Sequence, residues 1–342
     1  MKIENKKIDD IINNPSLNFK FISSTSNNLN LTCNILTKNF FLDSYNYFPL
    51  TEEYFTFLDI FSWGDSLKYN NFYNENFKKN FNKNKKNFKS FSNVFVLGSS
   101  SIDNYYRNIM TFLPRLFFNK ERKLKIAIHR NSSNKFRNFI KIQCKKMNID
   151  IQFVFLDDGF YKFSNSQIPQ FLKKEDSIKI LNTLKINDNK KEKIYISRQN
   201  SSFRNLINES DVINKLSKLG FKVVDLNDFD ILEQIKLFSN SEVIVSATGS
   251  ALTNIVFCNH GTKIFEISPK YNFEYENNLK SRYYFISKTL KLDYKRIEAD
   301  SVNVKKLNKG IQNIISPKVI KESNYYKNLL VQLDKIDKNI KI

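Results

Sequence analysis

Glu242-Val-Ile-Val-Ser-Ala-Thr-Gly-Ser-Ala-Leu-Thr-Asn254 is the stretch on which the reading of this chain turns. Its β-branched run, Val243 to Val245, gives way to the small residues Ser246 and Ala247, passes through Gly249 and resumes as the helix-compatible run Ala251 to Phe257. That is the pattern of a strand, a tight turn and a helix N-terminus. Gly249 supplies the close or left-handed backbone such a turn asks for, and Ser250 is a candidate cap for the helix beyond it. Unpaired N–H groups and the positive end of a helix dipole make this kind of turn a site for an anion such as phosphate. An ordinary strand-to-helix loop carries the same local signature, so the flanking sequence decides between the two.

Upstream, Ile194-Tyr-Ile196 reads as a strand leading into Ser197-Arg198. Asn208 heads a helical run in which Val212, Ile213, Leu216 and Leu219 share a face, and Gly220 stops it. Residues 221–226 read as a strand, and residues 230–238 as a helix with Ile231, Ile235 and Phe238 on one side. Downstream, residues 262–267 form another strand, ended by Ser268-Pro269. The succession β-α-β-α-β-α-β predicts a Rossmann-like domain with a parallel sheet. Residues 298–342 finish the chain with helices, the last over 323–338.

The first half repeats the theme. Residues 94–97 form a strand ending at Gly98, and a helix follows from Asp103, with Tyr106, Ile109, Met110 and Leu113 at helical spacing until Pro114 stops or kinks it. A strand (124–128), a helix (133–147) and a second strand (151–156) complete a βαβ unit. The polar stretch 163–193 reads as a linker holding one helix over 173–184, and residues 1–90 as short strands and loops. In residues 71–90 Lys78, Lys79, Lys83, Lys85, Lys86 and Lys89 interleave with Phe77, Phe81 and Phe88. That pattern fits either an anionic surface contact or a lysine-faced segment whose phenylalanines pack inward. The expected domains are therefore an N-terminal segment (1–90), a first Rossmann-like domain (91–185) and a second Rossmann-like domain (186–342). Two parallel α/β domains facing a cleft describe a GT-B-like α/β fold.

Composition narrows the function classes. With 342 residues, 41% of them hydrophobic, the chain is long enough for one large or two medium domains with true cores. Lys and Arg number 55 against 34 Asp and Glu, a net charge of +21, which turns attention to anionic partners. The excess is mostly lysine spread along the chain, and no nucleic-acid motif has recognisable spacing, so nucleic acid is not expected as a partner. Cys33, Cys144 and Cys258 lie far apart, without the spacing of a zinc site or a disulfide framework, which points to a reducing compartment. No run of about 18 apolar residues and no signal-peptide core is present. A cytoplasmic location is expected, with any membrane contact peripheral, at an anionic inner surface.

Ile194-Tyr-Ile-Ser-Arg198, Arg204-Asn-Leu-Ile-Asn-Glu209 and Gly220-Phe-Lys-Val-Val224 resemble glycosyltransferase family 61, a group that includes bacterial capsular-polysaccharide enzymes. The resemblance continues through Glu233-Gln234, Phe238-Ser-Asn240, Glu242-Val-Ile244, Gly249, Leu252-Thr-Asn254, Phe257 and Gly261-Thr-Lys263 to Glu266, with a shorter match at Asn104-Tyr-Tyr106 and Leu113-Pro-Arg-Leu116. It implies an inverting transfer of a sugar from a nucleotide-sugar donor to a glycan or lipid-linked glycan acceptor, without an obligatory metal or other cofactor. On this basis Ser197, Arg198, Arg204, Thr248, Gly249, Ser250, Asn254 and Glu266 are the expected donor contacts, the arginine forks holding the diphosphate and Glu266 the ribose hydroxyls. Surface ion pairs for the arginines and a structural role for Glu266 are the plainer readings of the same residues.

Two departures bear on catalysis. Arg107 stands where family members carry a histidine, and Ser246-Ala-Thr-Gly-Ser-Ala251 replaces a turn that also holds one. Asp103 and Arg107 are the candidate catalytic residues by placement, with Asp157, Asp158 and His129 as further groups at strand ends. A non-catalytic relative that retains nucleotide binding is the second reading.

Overall fold

The structure, a computed structural model, describes residues 4–6, 21–25, 29–45, 47–52, 55–57, 81, 83, 88–98, 103–188, 190–201, 204–270, 274–302 and 328–340. The chain divides into two compact units, Met1–Ser177 and Ile178–Ile342.

The strands of the first unit are β1 (Glu4–Lys6), β2 (Phe21–Thr25), β3 (Thr32–Asp43), β4 (Phe48–Thr51), β5 (Phe55–Phe57), β6 (Lys89–Ser92), β7 (Phe95–Val96), β8 (Lys123–His129), β9 (Asp150–Leu156) and β10 (Phe160–Pro169). β1 pairs with β5; the others form one eight-stranded sheet in the order β2-β3-β10-β7-β8-β9, with β4 on β3 and β6 on β10. β7, β8 and β9 are parallel, as the βαβ pattern predicts, with α2 (Asn134–Lys146) as the crossover. The rest corrects the expectation of a purely parallel sheet: β3 is antiparallel to β2, β4 and β10. Residues 163–169, expected as linker, complete β10. Their polar residues Ser164 and Asn165 fall at a bulge between Phe163 and Ser166, where Asn165 adopts φ 46°, and this breaks the alternation that marks a strand.

The helix from Tyr105 is composite. α1 (Tyr105–Arg107), capped by Asn104, runs into a π turn (Asn108–Phe112) and a 3-10 turn (Leu113–Phe118). Pro114, lacking an N–H, sits at the start of the 3-10 turn, where no donor is needed. Arg115 is fully buried. Its guanidinium lies over the rings of Tyr47, Phe112 and Phe171 and donates to Tyr47 Oη (2.8 Å) and Pro169 O (2.7 Å). Gly98 makes room for this cage: its φ is +97°, and a Cβ there would meet Tyr47 and stand 2.6 Å from Arg115 Nη2. From the lysine–phenylalanine stretch, Phe81 is buried with Leu50 and packs against Phe41, Phe88 and Phe160, so these phenylalanines face inward. Phe77 lies outside the described residues.

α3 (Lys174–Asn182) carries the boundary between the units, within the 173–184 span read as helical. The second unit has β11 (Glu192–Ile196), β12 (Lys222–Val224), β13 (Ser241–Ala247), β14 (Lys263–Pro269), β15 (Asp293–Val302) and β16 (Asn328–Leu330), with helices α4 (Glu209–Lys218), α5 (Ile231–Ser239), α6 (Glu274–Leu290) and α7 (Leu333–Asn339). The sheet order is β12-β11-β13-β14-β15-β16, parallel except for β16. On one face Tyr195, Val243, Val245, Phe265 and Ile297 pack with Val212 and Leu216 of α4 and Ile336 of α7. The chain moves outward from β11 to β12, then returns to place β13 on the other side of β11. The loops leaving β11 and β13 therefore part, and that switch point is where open α/β sheets take ligands.

Three local expectations change. The segment after Gly249 is a 3-10 helix, Ser250–Phe257, whose cap is Gly249 with no side-chain bond, so Ser250 does not cap. Asn208 is the N-cap of α4 but turns its amide to Val331 O (2.8 Å). Residues 328–330, expected within the last helix, form β16 against β15. Cys33, Cys144 and Cys258 are free and buried, and burial pushes the thiols of Cys33 and Cys144 up to about 12. Among the described residues no helix is long and apolar enough to cross a membrane.

Candidate functional site

The β11/β13 switch point is built from side chains that the local sequence forces together. β11 ends at Ile196 and β13 at Ala247, and their loops bring Arg198 against Gly249. A Cβ at Gly249 would collide with Arg198 Nη1 and stand 2.9 Å from its Cζ, so a side chain there would push the guanidinium aside. The backbone reason expected from sequence does not apply: φ is 172°, extended and open to any residue. Arg198 is 8% exposed. Its loop is held by Glu209, the first residue of α4, whose Oε1 accepts from both Arg198 N (2.8 Å) and Tyr195 Oη (2.8 Å). Burial, then the Glu209 charge, raises the Tyr195 hydroxyl pKa, so it stays a donor.

One strand further, a register row runs across β13, β14 and β15 through Ser246, Glu266 and Arg296. Glu266 is 1% exposed. The Tyr294 hydroxyl donates to its Oε2, and Thr248 bonds the carboxyl as well. Burial pushes the Glu266 carboxyl up; the Thr248 and Tyr294 bonds, then the charges of Arg296 and Arg204, pull it down without cancelling the effect. Glu266 Oε1 is buried without a hydrogen-bond partner among the described residues, and so is Ser268 Oγ, two residues along the same face. Arg204, 5% exposed, holds φ 59°, unusual for a residue with a side chain.

The remaining expected contacts are placed differently. Asn254 ties the 3-10 helix to α5, its Nδ2 donating to Gln234 Oε1 (2.9 Å) and Ala251 O (3.2 Å). Ser250 is exposed. Ser197 is half-buried, its N donating to Val224 O (2.9 Å) and its Oγ accepting from Gln199 N (3.3 Å). Two tyrosines of the site were not foreseen: Tyr294, on Glu266, and Tyr283 of α6, whose hydroxyl donates to Gly249 O (2.6 Å). Each lies more than 25 residues from its partner, so no spacing within the motif announces it. Taken together, Arg198 and Arg204 offer fixed cations, and Glu266 Oε1 offers an acceptor to a hydroxyl. Among the described residues, no group of three or more His, Cys, Asp or Glu side chains is placed to hold a metal ion.

Asp103 and Arg107 belong to the first unit. Asp103 Oδ1 accepts from Asn108 Nδ2 (2.6 Å), and Ser133 bonds the same carboxyl through its N–H and hydroxyl. Desolvation raises the Asp103 carboxyl against these bonds. Arg107 is buried, its guanidinium 5.1 Å from the Phe112 ring centroid. His129 ends β8 and is 2% exposed, with Nε2 2.9 Å from Asp158 Oδ1. Asp157 pairs with Arg130 (2.6 Å), which holds its carboxyl below the usual range.

No curated protein sequence matches the chain significantly. The family model of Glycosyltransferase 61 matches residues 105–265, from α1 through the switch point to β14. Over that segment, which holds the Arg198–Gly249 pair, the chain is similar to glycosyltransferase family 61.

Proposed function

We propose that the chain transfers a sugar from a nucleotide-sugar donor to a glycan hydroxyl, with the donor diphosphate held at the β11/β13 switch point. The family match over residues 105–265 supports glycosyl transfer in general, with a sugar donor and a glycan acceptor. The observation that carries the finer reading is the Arg198 guanidinium filling the space over Gly249, where an open α/β sheet takes its ligand.

In this reading Arg198 and Arg204 bind the diphosphate and neutralise the charge that grows on it as the bond to the sugar breaks, the role a metal plays in other transferases. Glu266 Oε1 accepts from a donor hydroxyl, the ribose of the nucleotide being the nearest in chemistry. The acceptor oxygen attacks the anomeric carbon opposite the departing diphosphate, inverting the configuration. A GT-B-like fold, and an acceptor from surface-polysaccharide synthesis, glycan or lipid-linked, complete the proposal.

Thermal-shift titration with UDP, GDP, CMP and dTDP and their sugars tests it. One nucleotide class is expected to raise the melting temperature, by a stabilisation of about 2.7 kcal/mol at a hundredfold excess over Kd. Arg198→Ala should abolish the shift, and Gly249→Ala should weaken it by displacing the guanidinium. No shift with any nucleotide would sink the donor site.

A further inference from the structure

We propose that Asn208 and β16 position Arg204 for the donor diphosphate, acting on the ligand only through that arginine; this rests on the donor site proposed above. The chain leaves β11 at Ile196, yet at residues 205–207 it is bonded to β16, and β13, β14 and β15 lie between those two strands in the sheet. Arg198 meets the end of β13 at Gly249, and the Arg204 charge acts on Glu266 of β14. The stretch between therefore crosses the sheet along its carboxyl edge.

Arg204 carries the strain of that crossing. Its φ of 59° is one that residues with a side chain seldom adopt, and such a conformation persists only where the surroundings over-determine it. They do so on both sides. Upstream, Asn205 Nδ2 donates to Ser201 O (2.7 Å) and Ser201 N donates to Arg198 O (2.9 Å), closing the loop on itself. Downstream, Leu329 N donates to Asn205 O (2.8 Å) and Ile207 N donates to Leu329 O (2.8 Å), a parallel bridge centred on Leu206 and Leu329. The first of these bonds falls on the residue immediately after Arg204.

Asn208 adds a further rung with its side chain. Nδ2 donates to Val331 O (2.8 Å) and Oδ1 accepts from Val331 N (3.4 Å), across 123 residues of sequence. An N-cap side chain ordinarily serves the first turn of its own helix; that of Asn208 makes no such bond and stands in for a backbone peptide on β16 instead. The anchor is itself fixed. Leu329 and Val331 are buried with Tyr195, Leu206 and Val212, while Leu330 between them is exposed, and the other edge of β16 pairs with β15. A cation on a backbone already held this way loses less freedom when a ligand arrives than one on a free loop.

The test is a double-mutant cycle on the affinity of the full chain for whichever of UDP, GDP and dTDP raises its melting temperature most, read by calorimetry. Asn208→Ala is expected to weaken binding about tenfold. Asn208→Asp, which keeps a capping side chain and the acceptor for Val331 N but loses the donor, should do the same and carries the test if the alanine variant fails to fold. In an Arg204→Ala background, itself weaker than the parent, the change at 208 should alter affinity by less than about twofold, because its effect passes through the missing arginine. Lys215→Ala breaks the ion pair between α4 and Asp337 but leaves the clamp, and should bind like the parent. Parent-like binding by the Asn208 variants or by Arg204→Ala, or a loss at 208 that persists undiminished without the arginine, overturns the positioning role. The parent and Arg198→Ala report on the donor site separately, and a parent that binds none of these nucleotides removes both.

Discussion

At the scale of single residues, Glu266 couples the candidate site to proton concentration. Burial raises its carboxyl above the ordinary 4.5, so the folded state holds the proton more tightly than the unfolded chain. The stability linked to that proton is complete below 4.5 and is lost as pH rises through the raised value. Glu266→Gln removes the ionisation, so its melting temperature should gain on that of the parent as pH rises above the ordinary carboxylate range. Parallel curves for the two proteins would show that Tyr294, Thr248 and the arginines offset the burial in full. The family resemblance brought Arg198, Arg204, Thr248, Gly249 and Glu266 forward together with Ser197, Ser250 and Asn254, all of them in or between the strands and helices that the local alternation makes readable. It could not show Tyr283 or Tyr294, which reach the site from α6 and β15 by tertiary packing. Nor could it show that Asn254, though inside the motif, belongs to a structural contact with Gln234.

At the scale of elements, legibility followed local periodicity. The strands and helices from 192 to 269 alternate cleanly, with Gly220 at φ 80° ending α4, and they were readable. β3 and β10 were not: they pair with each other across more than 100 residues, and the bulge in β10 hides its alternation. Nothing local records such a partner. α5 is the most locally specified helix, with a full capping box: Asp230 Oδ1 accepts from Glu233 N (2.8 Å) and Glu233 Oε2 from Asp230 N (2.7 Å). Asp230→Ala should therefore cost about 1 kcal/mol in urea denaturation at unchanged m-value. A loss under a few tenths would mean that packing of Ile231, Ile235 and Phe238 holds the helix without its cap.

At the scale of the molecule, every pairing between the named strands closes within its own unit: the first sheet runs through residues 21–169 and the second through 192–330. A fragment of residues 174–342, begun at the start of α3, should fold on its own, melt cooperatively and keep the nucleotide-induced shift. A random-coil far-UV spectrum would show that the second sheet depends on the first unit. The contact between Arg198 and Gly249 also ties the two positions together in descent: while arginine occupies 198, a side chain at 249 forces its guanidinium to move, so alanine at 249 should be tolerated better in a lineage that has already lost the arginine.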